Sequence, residues 1–158
     1  IYSLNRSIDE MSKHLKNVQT VYDLPKPPPL KLYISSNGGD VFDGISSADK
    51  IKSNDIPIYT YCEGLTASAA TLLSVSGKKR FMTKNSCILI HQLSSECWGT
   101  YAELKEEVEN CELIMQILRN IYLKNTKLKE DTLNDLLKKN RYLSSQQCLD
   151  MGIIDTIL

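Results

Sequence analysis

Apolar positions along this chain switch between a helical and a strand-like period, and the switching predicts an alternation of helices and strands. Ile8, Met11, Leu15 and Val18 recur at helical spacing, and Ser7-Ile8-Asp9-Glu10 reads as the capping box that starts this helix. Pro25 and the run Pro27, Pro28 and Pro29 stop it and form a stiff extended lead-in. Residues 30–34 (Leu-Lys-Leu-Tyr-Ile) follow as a short strand, broken by Ser35-Ser36-Asn37-Gly38-Gly39-Asp40, whose residues tolerate positive φ. Val41, Phe42, Ile45, Ala48 and Ile51 mark the buried face of a second helix, and residues 56–62 read as a second strand.

Residues 67–76 are nearly all small or apolar, as in a helix buried on every side, with Gly77 as its C-cap. Residues 81–83 and 87–91 form two short strands joined by Lys84-Asn85. Thr100-Tyr101-Ala102-Glu103 is another capping box, and it opens the longest helix, roughly 101–124. The apolar stripe of that helix, Leu104, Val108, Cys111, Met115, Leu118 and Tyr122, is long for a small domain, so part of it is expected to face another subunit. Residues 132–139 form a shorter helix, Ser144-Ser145-Gln146-Gln147 caps the last one, Gly152 ends it, and 153–158 is a final strand. Strands alternating with helices define an α/β class with parallel pairing, in one domain spanning residues 1–158.

Composition narrows the function classes. The 19 basic residues balance the 19 acidic ones, so no charge excess points to nucleic acid, and near-neutrality favours self-association. No uninterrupted apolar run is long enough for a membrane helix, and no signal peptide is visible at a first residue that is Ile rather than Met. The five cysteines, Cys62, Cys87, Cys97, Cys111 and Cys148, are odd in number and widely spaced, which fits free thiols in a reducing cytoplasm. With only His14 and His91 and no paired cysteines, no metal site is expected.

Candidate chemistry gathers around Ser68, where a strand hands over to a helix among Gly64, Ala67, Ala69 and Ala70. A helix N-terminus favours negative charge, and the Ala69 N–H is placed to serve an oxyanion beside the Ser68 hydroxyl. His91 ends the apolar strand 87–91 and reads either as a general base or as a satisfied core histidine, while His14 reads as a surface residue. The double glycine Gly38-Gly39 reads as a tight turn that also lets backbone approach a ligand. The runs Lys78-Lys79-Arg80 and Lys138-Lys139-Asn140-Arg141 read as solvated turns.

Together these pieces resemble the proteolytic subunit of the ATP-dependent Clp protease. The resemblance is carried by Ile34-Ser35-Ser36-Asn37-Gly38-Gly39, Cys62-Glu63-Gly64-Leu65-Thr66-Ala67-Ser68, Lys79-Arg80-Phe81, Asn85-Ser86, Ile90-His91-Gln92, Arg141-Tyr142-Leu143-Ser144 and the segment from Gly152 to Leu158. It implies a crotonase-type spiral of β-β-α units with a protruding handle helix, here from Thr100 to about Lys124. It implies Ser68 as nucleophile, His91 as base, and the Gly39 and Ala69 N–H groups as oxyanion hole. Gly38, Asp40, Val41, Gln92 and Leu93 would line the path of an extended substrate. It further implies two stacked seven-membered rings, homo- or hetero-oligomeric, enclosing a chamber. A ring-shaped AAA+ unfoldase would spend ATP to deliver polypeptide, and the subunit itself would need no cofactor. The expected compartment is the cytoplasm or a plastid stroma, and the family's axial loop and first strand are not found in this sequence.

The departures from the family pattern are as informative. The aspartate that precedes Arg141-Tyr142-Leu143-Ser144 in the family is Asn140, so the third catalytic position can accept a hydrogen bond from His91 but brings no charge. Lys138 and Lys139 replace an acidic-then-basic pair used in ring contact, Leu93 stands where proline is usual, and the Ser68–His91 interval is two residues shorter, a deletion assigned to the 76–79 turn. With the proline-rich insertion at 25–29, these mark a divergent member, of plastid or phage type. Two functions follow: a serine endopeptidase subunit with a Ser68-His91-Asn140 site, or an attenuated, regulatory subunit assembling with active paralogues. A crotonase-type acyl-CoA enzyme would share the oxyanion hole, but the acidic pair its enolate chemistry requires is not visible.

Overall fold

A computed structural model describes residues 2–158. The first helix, α1 (Tyr2–Val21), starts earlier than the capping box at Ser7 predicts. The reason is local: residues before Ser7 are already helical, so its hydroxyl donates back to the Ser3 carbonyl at 2.9 Å instead of capping. Glu10 is taken by Arg6 at 2.9 Å and Asp9 by Lys50 of the next helix. Ile8 and Ser12 are buried, Leu15 is half-buried, and Met11 and His14 are exposed.

Strand β1 (Leu30–Ser36) leaves the proline run, and helix α2 (Val41–Ser53) follows with Asp40 as N-cap, its carboxylate accepting from the Asp43 N–H at 3.0 Å. Ala48 and Ile51 are buried as expected, whereas Phe42 points outward and is exposed. Strand β2 (Ile58–Ala67) runs five residues beyond the predicted end at Cys62. Glu63 and Gly64 form an irregularity within it: Ile34 pairs with Cys62, but Ser36 pairs with Thr66. Gly64 at φ +61 absorbs the extra residues, and the strand resumes toward Ser68.

Helix α3 (Ala69–Ser76) is buried along nearly its whole length. Gly77 ends it in extended rather than left-handed backbone; it is glycine because an added Cβ would meet the Thr60 hydroxyl at 2.4 Å. Strands β3 (Lys79–Met82) and β4 (Cys87–Leu89) come next, then the long helix α4 (Tyr101–Asn125) with its Thr100/Glu103 capping box intact. Helix α5 (Glu130–Leu137), a three-residue strand β5 (Tyr142–Ser144), helix α6 (Ser145–Asp150) with its Ser144/Gln147 capping box, and β6 (Thr156–Ile157) complete the chain. The sequence pattern gave no sign of β5, and the last strand is shorter than 153–158.

Among the described residues these strands form one sheet centred on β2. β1 lies on one edge of β2; β3 occupies the first half of the other edge through Tyr59–Cys62, and β4 the second half through Leu65–Ala67. The β1, β3, β4 and β6 pairings are parallel, while β4 and β5 are antiparallel. The core under the sheet holds fully buried Ile56, Ile58, Leu72, Met82, Ile88, Leu133, Ile153 and Ile154. Each such side chain contributes roughly 1.5–3 kcal/mol relative to exposure.

Arg80 corrects the reading of 78–80 as a solvated turn. Its side chain is only 11% exposed and grips Asp155 through Nε (3.1 Å) and Nη2 (2.5 Å) while Nη1 donates to the Gly152 carbonyl at 2.8 Å and to the Asn125 carbonyl. It thereby ties β3 to the ends of α4 and α6. The second basic run, 138–141, is exposed throughout. On α4 only Leu118 and Tyr122 of the apolar stripe are buried; Leu104 and Val108 stand in solvent, 41% and 58% exposed. All five cysteines are free, and burial pushes the Cys148 thiol up to about 12 and the Cys62 thiol upward.

Candidate active site

Ser68 lies on the one-residue turn between β2 and α3, at φ +55 and ψ −132. A non-glycine residue in this region carries strain of about 1–3 kcal/mol, which the surroundings must hold. They do so through its backbone: the Ser68 N–H donates to the Leu89 carbonyl of β4 at 2.9 Å, and its own carbonyl accepts from the Thr71 N–H (2.9 Å) and hydroxyl (2.6 Å). The Ser68 hydroxyl makes no capping bond. A sharp strand-to-helix turn with an unengaged hydroxyl at its apex is the geometry of a nucleophile elbow.

Gly38, at φ +99, backs directly onto this turn. A Cβ there would lie 2.6 Å from the Ser68 Cβ and 2.8 Å from the Ala67 carbonyl oxygen. Its neighbour Gly39, at φ +154, has open space where a Cβ would be. Both glycines are therefore needed, but for different reasons: Gly38 for close approach and backbone, Gly39 for backbone alone. Neither the Gly39 N–H nor the Ala69 N–H has a hydrogen-bond acceptor among the described residues.

A cleft of about 210 Å³ opens over the elbow. Its walls bring together Gly39, Asp40, Val41, Ser68, Ala69, His91, Gln92 and Leu93 from three separate stretches of chain, with Leu72, Leu118 and Tyr122 among its remaining lining. Gly38 is not part of this wall; it lines an adjoining, more apolar hollow with Leu32, Ala70 and Leu73.

His91 lies two residues beyond β4 rather than at its end. Its Nδ1 is 2.7 Å from the Gln92 carbonyl oxygen. A carbonyl oxygen can only accept, so the proton belongs on Nδ1 and Nε2 is left as the basic nitrogen. The loop is pinned on both sides of the cleft: the Gln92 N–H donates to the Leu137 carbonyl at the end of α5 (2.8 Å), and the Leu93 N–H contacts the Met115 sulfur on α4 (3.3 Å).

Asn140 is not brought into the cleft. It is exposed, and its side chain makes no hydrogen bond among the described residues. The nearby carboxylate of Asp135 is committed to Lys139 at 2.6 Å. The acceptor facing His91 Nδ1 is therefore a neutral main-chain carbonyl.

Two residues at this site escaped the sequence reading. Tyr122 reads in the sequence as part of an apolar stripe, yet its hydroxyl is 2.6 Å from the Thr71 hydroxyl, and both residues are buried. Burial pushes the Tyr122 phenol up to about 12, so it stays protonated. The available signal was a threonine three residues after Ser68 in a helix otherwise built from small and apolar residues.

The elbow, the Gly39 and Ala69 N–H groups and the His91 imidazole thus line one cleft of an α/β fold. The sequence matches the Clp protease family model over residues 4–158, and the chain belongs to that family. Clp proteases are peptidases that form rings, work with Clp ATPases and need no cofactor for hydrolysis itself. Among the described residues no helix is long and apolar enough to cross a membrane.

Proposed function

We propose that this chain is the serine endopeptidase subunit of a chambered, ATP-dependent Clp-type protease that cuts unfolded polypeptide into short peptides. The observation that carries the reading is Ser68 itself: a strained elbow residue with a free hydroxyl, in one cleft with an imidazole whose Nδ1 is already paired. His91 Nε2 takes the Ser68 proton as the hydroxyl oxygen attacks the scissile carbonyl carbon. The resulting oxyanion is held by the Gly39 N–H from the β1–α2 loop and by the Ala69 N–H at the N-terminus of α3. Collapse expels the amine, which receives the proton from His91, and water then repeats the cycle on the acyl-serine. Asp40, Val41, Gln92 and Leu93 would guide the extended chain on either side, with Gly38 setting the turn behind Ser68.

A second reading is favoured by the neutral acceptor on His91. With Asn140 at the third position and the Gln92 carbonyl on Nδ1, the developing imidazolium has no carboxylate to stabilise it, so the subunit would be slow alone and work chiefly beside active paralogues. Hydrolysis of a fluorogenic peptide, and of an unfolded protein with an ATP-driven unfoldase ring present, separates the two. Turnover that the purified assembly sustains alone and that Ser68→Ala abolishes supports the endopeptidase; turnover only after mixing with a paralogue supports the second reading. Turnover unaffected by Ser68→Ala in the purified assembly would contradict both.

A further inference from the structure

We infer that Tyr122 is a positioning residue for the nucleophile, acting through Thr71 on the Ser68 carbonyl. The inference rests on the reading of Ser68 as nucleophile and adds a contributor from an element that is neither β2 nor α3.

Proton counting fixes the direction of the chain. The Thr71 hydroxyl has one hydrogen, and among the described residues the acceptor-only group it bonds is the Ser68 carbonyl at 2.6 Å. That hydrogen is committed there, so at the 2.6 Å contact between the two hydroxyls the Tyr122 phenol must be the donor. The order is Tyr122 O–H to Thr71 Oγ1, then Thr71 O–H to Ser68 C=O. Donation by the phenol polarises the second hydroxyl, and the arrangement is buried: Thr71 is fully buried and Tyr122 is 3% exposed.

The site at which the chain ends is what gives it a role. The Ser68 carbonyl belongs to a residue at φ +55 and ψ −132, a conformation that relaxes unless its peptide groups are held. The N–H side is held by Leu89 and the carbonyl side by Thr71. Losing the hydroxyl chain leaves only the Thr71 N–H on that carbonyl. The peptide plane between Ser68 and Ala69 is then freer to rotate, and that plane carries both the Ser68 carbonyl and the Ala69 N–H. One rotation would misplace the oxyanion donor and shift the serine hydroxyl together. Tyr122 also lines the cleft floor, but its phenol proton points to Thr71, so its action on Ser68 runs through that residue.

The test measures the rate of Ser68 labelling by a fluorophosphonate, with kcat and KM for a fluorogenic peptide, on the assembled protein and three variants. Tyr122→Phe removes one oxygen, Thr71→Val removes the linking hydroxyl at constant shape, and Thr71→Ser restores it. Tyr122→Phe is expected to slow labelling about fivefold and Thr71→Val about tenfold, as for loss of one or two buried hydrogen bonds from the transition state. The loss falls on kcat with KM within twofold, and Thr71→Ser recovers at least half of the labelling rate. Rates are compared per folded assembly, so a role confined to stability would lower the melting temperature but leave them unchanged. Unchanged labelling in Tyr122→Phe overturns the inference, even if Thr71→Val fails to fold. Absence of labelling in the unsubstituted protein instead overturns the reading of Ser68 on which it rests.

Discussion

His91 directs Nδ1 at the carbonyl oxygen of Gln92, 2.7 Å away, and that bond leaves Nε2 as the nitrogen free to take a proton. The orienting acceptor is neutral, because the family's aspartate position holds Asn140 and Asp135 is paired with Lys139. Asn140 itself is exposed and lies outside the cleft, so a charge placed there is screened and is not in contact with the imidazole. We expect Asn140→Asp to change kcat for a fluorogenic peptide by less than about threefold, far below the ~10⁴ that an aspartate in direct contact with the histidine is worth. A gain of about tenfold or more would contradict the placement of residue 140 away from His91.

Gly38 and Gly39 separate packing from chemistry. Gly38→Ala drives a Cβ against Ser68 and the Ala67 carbonyl at a φ of +99 and should cost about 2–4 kcal/mol of stability, lost activity included. Gly39→Ala meets nothing, so its melting temperature should fall less while kcat falls with the displaced N–H donor. Thermal melts alongside peptide hydrolysis distinguish the two, and equal destabilisation by both variants would contradict this division of roles.

Asp155 gives the fold an acid limit. Burial by itself would raise its pKa, but hydrogen bonds from the Arg80 side chain and N–H, with the charges of Arg80 and Lys127, bring it below the ordinary carboxylate value. A carboxyl with a depressed folded pKa contributes stability that is fully present above its unfolded pKa of about 3.9 and is lost as pH falls through the folded value. Denaturant titrations from pH 7 to pH 2 should therefore show a loss below about pH 4 that is smaller in Asp155→Asn, whose neutral-pH stability is already reduced.

The exposed apolar residues on the first half of α4 fit contact with a second copy of the chain, as expected if this helix links stacked rings. Val108→Glu, at a position 58% exposed, should leave the folded subunit's circular dichroism unchanged while lowering the assembled mass by sedimentation. An unchanged sedimentation profile would remove α4 from the interface.

What the sequence disclosed and what it concealed follow from the range of the interactions involved. The capping boxes at Thr100 and Ser144 are set within four residues, and both helices start where they predict. Ser7 carries the same local signature but fails because the preceding residues are helical too. β2 looked finished at Cys62, since Glu63 and Gly64 break its apolar pattern; only pairing with β1 and β4 on its two edges carries it on to Ala67. Arg80 and Tyr122 are the long-range cases. The partners of Arg80 are 45 to 75 residues away and that of Tyr122 is 51 residues away, so the local pattern reads as a basic turn and an apolar stripe where the fold has an ion-pair clamp and a hydroxyl chain. Ser68, Ala69 and His91 stand out by residue type and position, Gly39 and Asn140 only through the family resemblance; the cleft is lined by the first four of these, and Asn140 lies outside it.

The most direct test of the central claim is mass-spectrometric mapping after treating the assembled protein with a fluorophosphonate. The account predicts a single adduct on the peptide containing Ser68, slowed strongly by His91→Ala and absent in Ser68→Ala. An assembled, folded protein that gains no adduct at Ser68 would contradict it.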